Sequence, residues 1–206
     1  MRLVTIVTQP IKPHPAFRRL LSQLRKSQDA LSTQWNAPVY RCVELEWARP
    51  EYLISGEGTR QRGSRWMQRN YCKVVHAAST ETIALKESRR VYDYYGIRKP
   101  RNNPRVSVEL IAKLNRIVDL SKLQTIMDSP TIEEMLNEDW EKLNESSVET
   151  IAQSLGRVIL ELNYEGLIAP SSRDSRGRNL IWFPDQLLPE SQIEIIGQEK
   201  LKLWLA

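Results

Sequence analysis

Cysteine, histidine and phenylalanine occur only twice each in the 206 residues, and that scarcity removes several chemistries. Cys42 and Cys72 have no metal-ligand spacing, so neither a metal site nor a disulfide scaffold is expected, and two thiols in a chain of this size fit a reducing compartment. No G-x-G-x-x-G occurs, which argues against a hydride-transfer enzyme built on a dinucleotide fingerprint. No stretch reaches the ~18 apolar residues of a membrane span. The start, Met1 to Thr8 followed by Gln9-Pro10, has neither a long apolar core nor a small-residue cleavage site, so a cytoplasmic location with no membrane partner is expected. Internal repeats and low-complexity runs are absent.

What remains is ordinary globular material, 41% hydrophobic and 27% charged. A chain of this length forms one domain and buries roughly 70% of the surface its unfolded form exposes. The net charge of +5 conceals a division. From Arg60 to Arg105 twelve Lys and Arg stand against three acids, a balance of +9, whereas from Asp119 to Glu165 eleven Asp and Glu stand against three bases, a balance of −8. An anion site is expected in the basic half.

Apolar periodicity over Pro15 to Leu24 predicts a helix within an N-terminal extension, residues 1–36, and Ala37 to Val43 reads as a short strand. The three glycines between Ser55 and Arg69 predict a loop or irregular hairpin. Lys73 to Ala78 reads as a buried strand and Thr80 to Tyr92 as a helix, with Asn102-Asn103-Pro104 as punctuation. Val108 to Leu114 is compatible with strand or helix. A helix is predicted from Ser129 to Asn144, where Ser129 or Thr131 can cap, Pro130 suits the first turn and Ile132, Met135, Leu136 and Trp140 share a face. A second spans Val148 to Leu162. Asn179–Phe183 and Gln192–Ile196 read as strands, and Lys200 to Leu205 as an edge strand or short tail helix. The expected class is α+β.

Three polar residues sit in contexts that normally exclude them: Arg41 ends Val39-Tyr40-Arg41, Glu87 ends Ile83-Ala84-Leu85-Lys86-Glu87, and Ser171 follows Gly166-Leu167-Ile168-Ala169-Pro170. A buried ion must be paired or serve a ligand, because desolvation costs several kcal/mol on the order-of-magnitude scale. Around them run Ser55-Gly56-Glu57-Gly58, Gly63-Ser64-Arg65-Trp66, Val74-Val75-His76-Ala77-Ala78-Ser79 and Gly177-Arg178-Asn179-Leu180-Ile181-Trp182-Phe183. In this order the blocks, covering about half of the chain, resemble the RES domain, a family named for its arginine, glutamate and serine.

The resemblance implies a fold like that of ADP-ribosyltransferases over residues 37–206, with a helical insertion near 118–150. It implies an NAD-degrading toxin that cuts the nicotinamide–ribose bond and passes ADP-ribose to inorganic phosphate or water. NAD is then a substrate, no metal is needed, a small helix-turn-helix antitoxin is the implied partner, and a homo-oligomer is compatible. The roles carried over are Glu87, Arg41 and Ser171 as catalytic residues and Tyr40, Arg65, Trp66, His76 and Asn179 as NAD-binding residues. Physically, a fixed carboxylate suits the positive charge that develops on ribose. Guanidinium matches pyrophosphate. Ser171 would position nicotinamide or its ribose, and Tyr40 and Trp66 offer stacking surfaces.

The chain departs from the family where His76 replaces a usual tyrosine and where Ser64 and Met67 replace glycine and asparagine around the Arg-Trp pair. Structural alternatives accompany these assignments: Glu87 paired with Arg89 or Arg90, Arg41 reaching solvent, Arg60, Arg62 or Arg69 in place of Arg65, Ser171 as a turn residue after Pro170 with Ser172 adjoining it, and His76, Tyr40 and Trp66 as core. Two other functions stay open, transfer of ADP-ribose to a macromolecule and nucleic-acid binding through arginines interleaved with Trp66, Tyr71, Tyr92, Tyr94 and Tyr95.

Overall fold

The computed structural model describes residues 10–96, 104–125 and 130–205; Met1 to Thr8, the Asn102-Asn103 pair and the candidate cap Ser129 lie outside the described residues. The chain is a mixed α+β domain around a six-stranded sheet: β1 (Ser32–Glu44), β2 (Val75–Ala78), β3 (Arg105–Asp119), β4 (Gly166–Pro170), β5 (Arg178–Trp182) and β6 (Gln192–Ile195). The pairings close on themselves. β1 runs antiparallel to β3 from Ser32↔Val118 to Glu44↔Arg105, β3 lies parallel to β4, β4 and β5 are antiparallel, and β5 pairs β2. The ring is completed by a single pair between β1 and β2, Tyr40↔Ala78, while β6 adds beside the middle of β3.

Alternation explains which residues face where. On β5, Leu180 and Trp182 enter one apolar cluster and Ile181 the other; on β4, Ile168 enters the first and Leu167 and Ala169 the second. Both faces of these strands are therefore covered, which is why their sequence reads as a continuous apolar run rather than an alternating one. On β3 the buried Val108, Leu110, Ala112 and Leu114 recur every second residue, which resolves the strand-or-helix ambiguity in favour of a strand, fifteen residues long.

The second cluster fills the space between sheet and helices. Leu20 and Leu24 of the helix Phe17–Lys26 and Leu155, Val158 and Ile159 of the helix Ile151–Glu161 pack there on the sheet. Thr150 and Gln153 form a capping box at the start of the latter helix. Glu149, fully buried, accepts two hydrogen bonds from Arg157, at 2.5 and 2.9 Å, and one from His14 N at 2.7 Å, tying the N-terminal segment down.

Several elements differ from their sequence reading. β1 begins at Ser32, because long pairing with β3 recruits residues of weak intrinsic preference. The stretch predicted as a loop contains the helix Glu57–Arg62, which follows the helix Pro50–Ser55 across Gly56 at φ +70°. The region expected as one helix is two, Ile132–Asn137 and Trp140–Glu145. Asp139 caps the second by accepting from Lys142 N at 3.1 Å, and the Glu138 carboxylate turns back to accept from Ile151 N, at 3.1 Å. Of the two tail readings, the helix is found, at Gln198–Leu205.

Candidate active site

The weak link in the ring is where the site forms. With only Tyr40↔Ala78 joining β1 to β2, the strands part on either side, and a cavity of about 300 Å³ opens there, at the lower end of the range typical of ligand sites. Its wall includes Tyr40 and Arg41 from β1, His76 from β2 and Asn179 from β5.

Glu87 enters from the helix Glu81–Ser88, whose start is capped by Thr80 accepting from Ile83 N at 3.3 Å. Ile83 and Ala84 pack against Ala78, Tyr40 and Cys42, and helical spacing of three and four residues brings Glu87 onto the same face. There its Oε1 accepts from Ser171 Oγ at 2.5 Å and from Asn179 Nδ2 at 2.9 Å. Ser171, 5% exposed, follows β4 directly, and its own N–H bonds Gly177 O at 2.9 Å to close the β4–β5 connection. Glu87 is thus not a solvated partner of a neighbouring arginine: it stands on the cavity wall, and two donors orient one of its carboxylate oxygens.

Arg41 lies on β1 between Val39 and Val43, on the face whose valines pack into the cluster of Ile168, Leu180 and Trp182. Its Nε and Nη1 are buried and have no hydrogen-bond partner in the protein, and burial pushes its pKa down to about 10. His76 Nε2 and Asn179 Oδ1 are likewise buried without partners. Burial, reinforced by the charges of Arg41 and Arg65, lowers the His76 pKa to about 3, so the imidazole is neutral at ordinary pH. One cavity therefore carries unpaired donors on Arg41, an unpaired acceptor on Asn179 and a neutral imidazole nitrogen. Buried polar atoms left so call for a partner from outside the chain, and a ligand, water or ion supplies one.

The loop bearing Arg65 is held from behind. Gln153 donates to Ser64 O at 2.8 Å, and Gly156 lets the helix Ile151–Glu161 approach so closely that a Cβ there would lie 1.7 Å from Trp66 O. Trp66 borders the cavity but is 3% exposed and belongs to the main core, so it packs first and lines second. Arg65 is not wholly available to a ligand, since its Nη1 donates to the carbonyls of Met135 and Glu138, each at 3.0 Å.

Those carbonyls belong to the acidic helical segment, which closes one side of the cavity rather than standing in solvent. It contributes Leu136 and Trp140 to the wall. Arg90, also on the wall, makes a two-pronged ion pair with Glu141, its Nη2 lying 2.6 Å from Oε2, and Tyr94 Oη donates to Asp139 at 2.7 Å. The opposite charges of the two chain halves thus meet within the molecule. Sequence reading missed Arg90, Leu136, Trp140, Ser88 and Cys42 as wall residues; Trp140 and Leu136 were legible only as an apolar helix face. Of the two adjacent serines, Ser172 lines the cavity and Ser171 donates to Glu87.

Among the described residues no group of three or more His, Cys, Asp or Glu is arranged to hold a metal, and no helix is long and apolar enough to cross a membrane. No curated protein matches the chain in sequence. Among solved structures, a chain of the M. tuberculosis MbcT–MbcA toxin–antitoxin complex superposes with a TM-score of 0.62 at 14% identity, covering 89% of this chain and 95% of that one, which establishes a shared fold. The family model of the RES domain matches residues 38–204, a span that holds Arg41, Glu87 and Ser171 together with every other wall residue named above, and the chain belongs to the RES domain family.

Proposed function

We propose that the chain is an NAD-consuming toxin that breaks the nicotinamide–ribose bond and passes ADP-ribose to inorganic phosphate or water. The observation that carries this reading is the Glu87 carboxylate, oriented by Ser171 and Asn179 in a cavity whose Arg41, His76 and Asn179 atoms lack protein partners. When the bond between the ribose C1′ and the ring nitrogen breaks, its electron pair leaves with nicotinamide, which becomes neutral, and positive charge develops on the ribose. A carboxylate fixed beside that ribose attracts the charge only as it forms, which lowers the barrier rather than merely tightening binding. A phosphate oxygen then bonds to C1′; water does the same and releases a proton.

The remaining wall residues suit the other parts of this substrate. Arg41 offers donors to pyrophosphate oxygens, Arg65 adds charge beside it, and the Asn179 carbonyl can accept from a carboxamide N–H. A nicotinamide carboxamide and a pyrophosphate between them complete the atoms the protein leaves unpaired. Ser171 serves as a positioning residue for Glu87. In this reading Tyr40 and neutral His76 bound the nicotinamide end. A fold like that of ADP-ribosyltransferases, a cytoplasmic location and a small antitoxin as partner belong to the same proposal; the last extends to this chain what the solved relative is as a complex.

The test is release of free nicotinamide by the purified chain given NAD and phosphate. Glu87→Gln is expected to lower the rate by about 10²–10³, the usual effect of removing one charge-stabilising group. Wild-type protein that releases none overturns the reading, and an unimpaired variant removes Glu87 from its role.

A further inference from the structure

Part of the cavity wall comes from outside the family's arginine, glutamate and serine. Glu87, Ser171, Asn179, Arg41 and His76 all stem from the sheet or from the helix packed on it, whereas Leu136 and Trp140 stem from the acidic helical segment. Arg65 stands between the two. Its charge bears on His76 on one side, the charge that bears most on it is that of Arg90, and its Nη1 grips the carbonyls of Met135 and Glu138. The cavity therefore has one wall of polar groups borne by the sheet and its helix and another, apolar and aromatic, borne by the helical segment that Arg65 grips.

That wall is rigid. Trp140 is half-buried, and the Arg90 guanidinium lies 5.5 Å from its ring centroid and 5.6 Å from that of Tyr94. Glu141, the next residue in the chain, engages Arg90 through both carboxylate oxygens, so the ring, the cation and the carboxylate hold one another in place. Because Arg90 is paired with Glu141, this wall offers little free charge to a second phosphate. It presents instead a flat, preorganised π-surface with an aliphatic neighbour, Leu136, which is what a purine base needs.

We infer that Trp140, held by the Arg90–Glu141 pair and flanked by Leu136, is the specificity residue that takes the adenine base of the dinucleotide. This assignment rests on the NAD reading above for its substrate, but its geometry requires only an adenine nucleotide. It also accounts for the acidic segment, since the chain that joins β3 to the helix Ile151–Glu161 then builds one wall of the binding site.

Two measurements test it. In the first, nicotinamide release is followed from NAD and from nicotinamide mononucleotide, which lacks the adenylate half. Trp140→Ala should raise KM for NAD about tenfold, the order of one lost base–aromatic stack, with kcat within about twofold and with unchanged kinetics on the mononucleotide. Trp140→Phe, which keeps a ring and the packing, should stay within about threefold of wild type. Equal losses on both substrates, or none on NAD, overturn the inference. In the second, calorimetry with AMP alone should give binding that weakens about tenfold in Trp140→Ala and survives in Trp140→Phe; AMP that ignores the substitution, or fails to bind wild-type protein, overturns it. The two readings fail separately. Protein that binds AMP through Trp140 but releases no nicotinamide keeps the adenine site and sinks the NAD-cleaving proposal, whereas turnover of NAD indifferent to Trp140 does the reverse.

Discussion

Ser171 Oγ donates to Glu87 Oε1 across 2.5 Å, joining the end of β4 to the end of a helix 84 residues earlier in the chain. Asn179 Nδ2 reaches the same oxygen from β5, so two strands aim one carboxylate. Ser171→Ala removes one of the two donors. The expected result is a fall in kcat of about tenfold, as for a single hydrogen bond to a charged group, with KM for NAD nearly unchanged, and recovery of most of the rate in Ser171→Thr. A rise in KM alone would instead place the hydroxyl on the substrate.

Arg41 illustrates a conflict between function and stability. Its Nε and Nη1 are buried unpaired, a desolvated charge that folding tolerates but does not need. Arg41→Met, of similar length and apolar, should raise the thermal midpoint by a few degrees while abolishing nicotinamide release. Arg41→Lys should not restore activity, because an ammonium lacks the planar fork of donors. A variant that melts earlier than wild type would show that the guanidinium has a structural partner after all.

The depressed pKa of His76, about 3 against 6.5 for an ordinary imidazole, has a signed consequence. Between these values the unfolded chain binds a proton that the folded one does not, so stability rises with pH across that window. The contribution is fully present above about pH 6.5 and is lost as pH falls towards 3. His76→Phe should flatten the stability profile in this window, read by chemical denaturation at successive pH values. The same neutrality means that His76 should leave no inflection near neutral pH in the profile of kcat/KM; an inflection there that disappears in the variant would contradict the burial argument.

Gly156 sits where the helix Ile151–Glu161 meets the backbone of the loop bearing Arg65. A methyl group there would be forced to 1.7 Å from Trp66 O, and a main-chain atom cannot turn aside as a side chain does. Gly156→Ala should cost about 3 kcal/mol through overpacking, a loss of roughly 6–12 °C in a chain of this size. Scanning calorimetry checks it. A melting point within about 2 °C of wild type would mean that the loop and helix slide apart freely.

Much of the architecture could be read from residue order. The strand read over Asn179–Phe183 is found at Arg178–Trp182, the capping signal at Thr131 marks a true helix start, and the helix read from Val148 to Leu162 is found at Ile151–Glu161. Arg41, Glu87 and Asn179 do converge on one cavity, because each lies on an element whose buried face is dictated by its own periodicity. Harder to see was the break at Glu138–Asp139. The pattern of Ile132, Met135, Leu136 and Trp140 continues a helical stripe through it, whereas in the fold Asp139 caps a new helix and Glu138 is held by Arg65 and by the start of the helix at Ile151. Cys42 and Ser88 escaped notice because nothing local distinguishes a wall residue from an ordinary packed one.

The amino-acid order alone determined the mixed class and the family and singled out an acid and an arginine, Glu87 and Arg41, that share one cavity wall, since these depend on side-chain chemistry and on short-range alternation along single elements. The tertiary structure alone decided that Ser171 donates to Glu87, that Arg65 is partly spent on main-chain carbonyls, and that the acidic segment lies against the basic one through Arg90 and Glu141. Each of those outcomes is a competition for one partner between groups dozens of residues apart. Which group wins depends on where the whole sheet and its helices bring them, and no window of sequence contains that information.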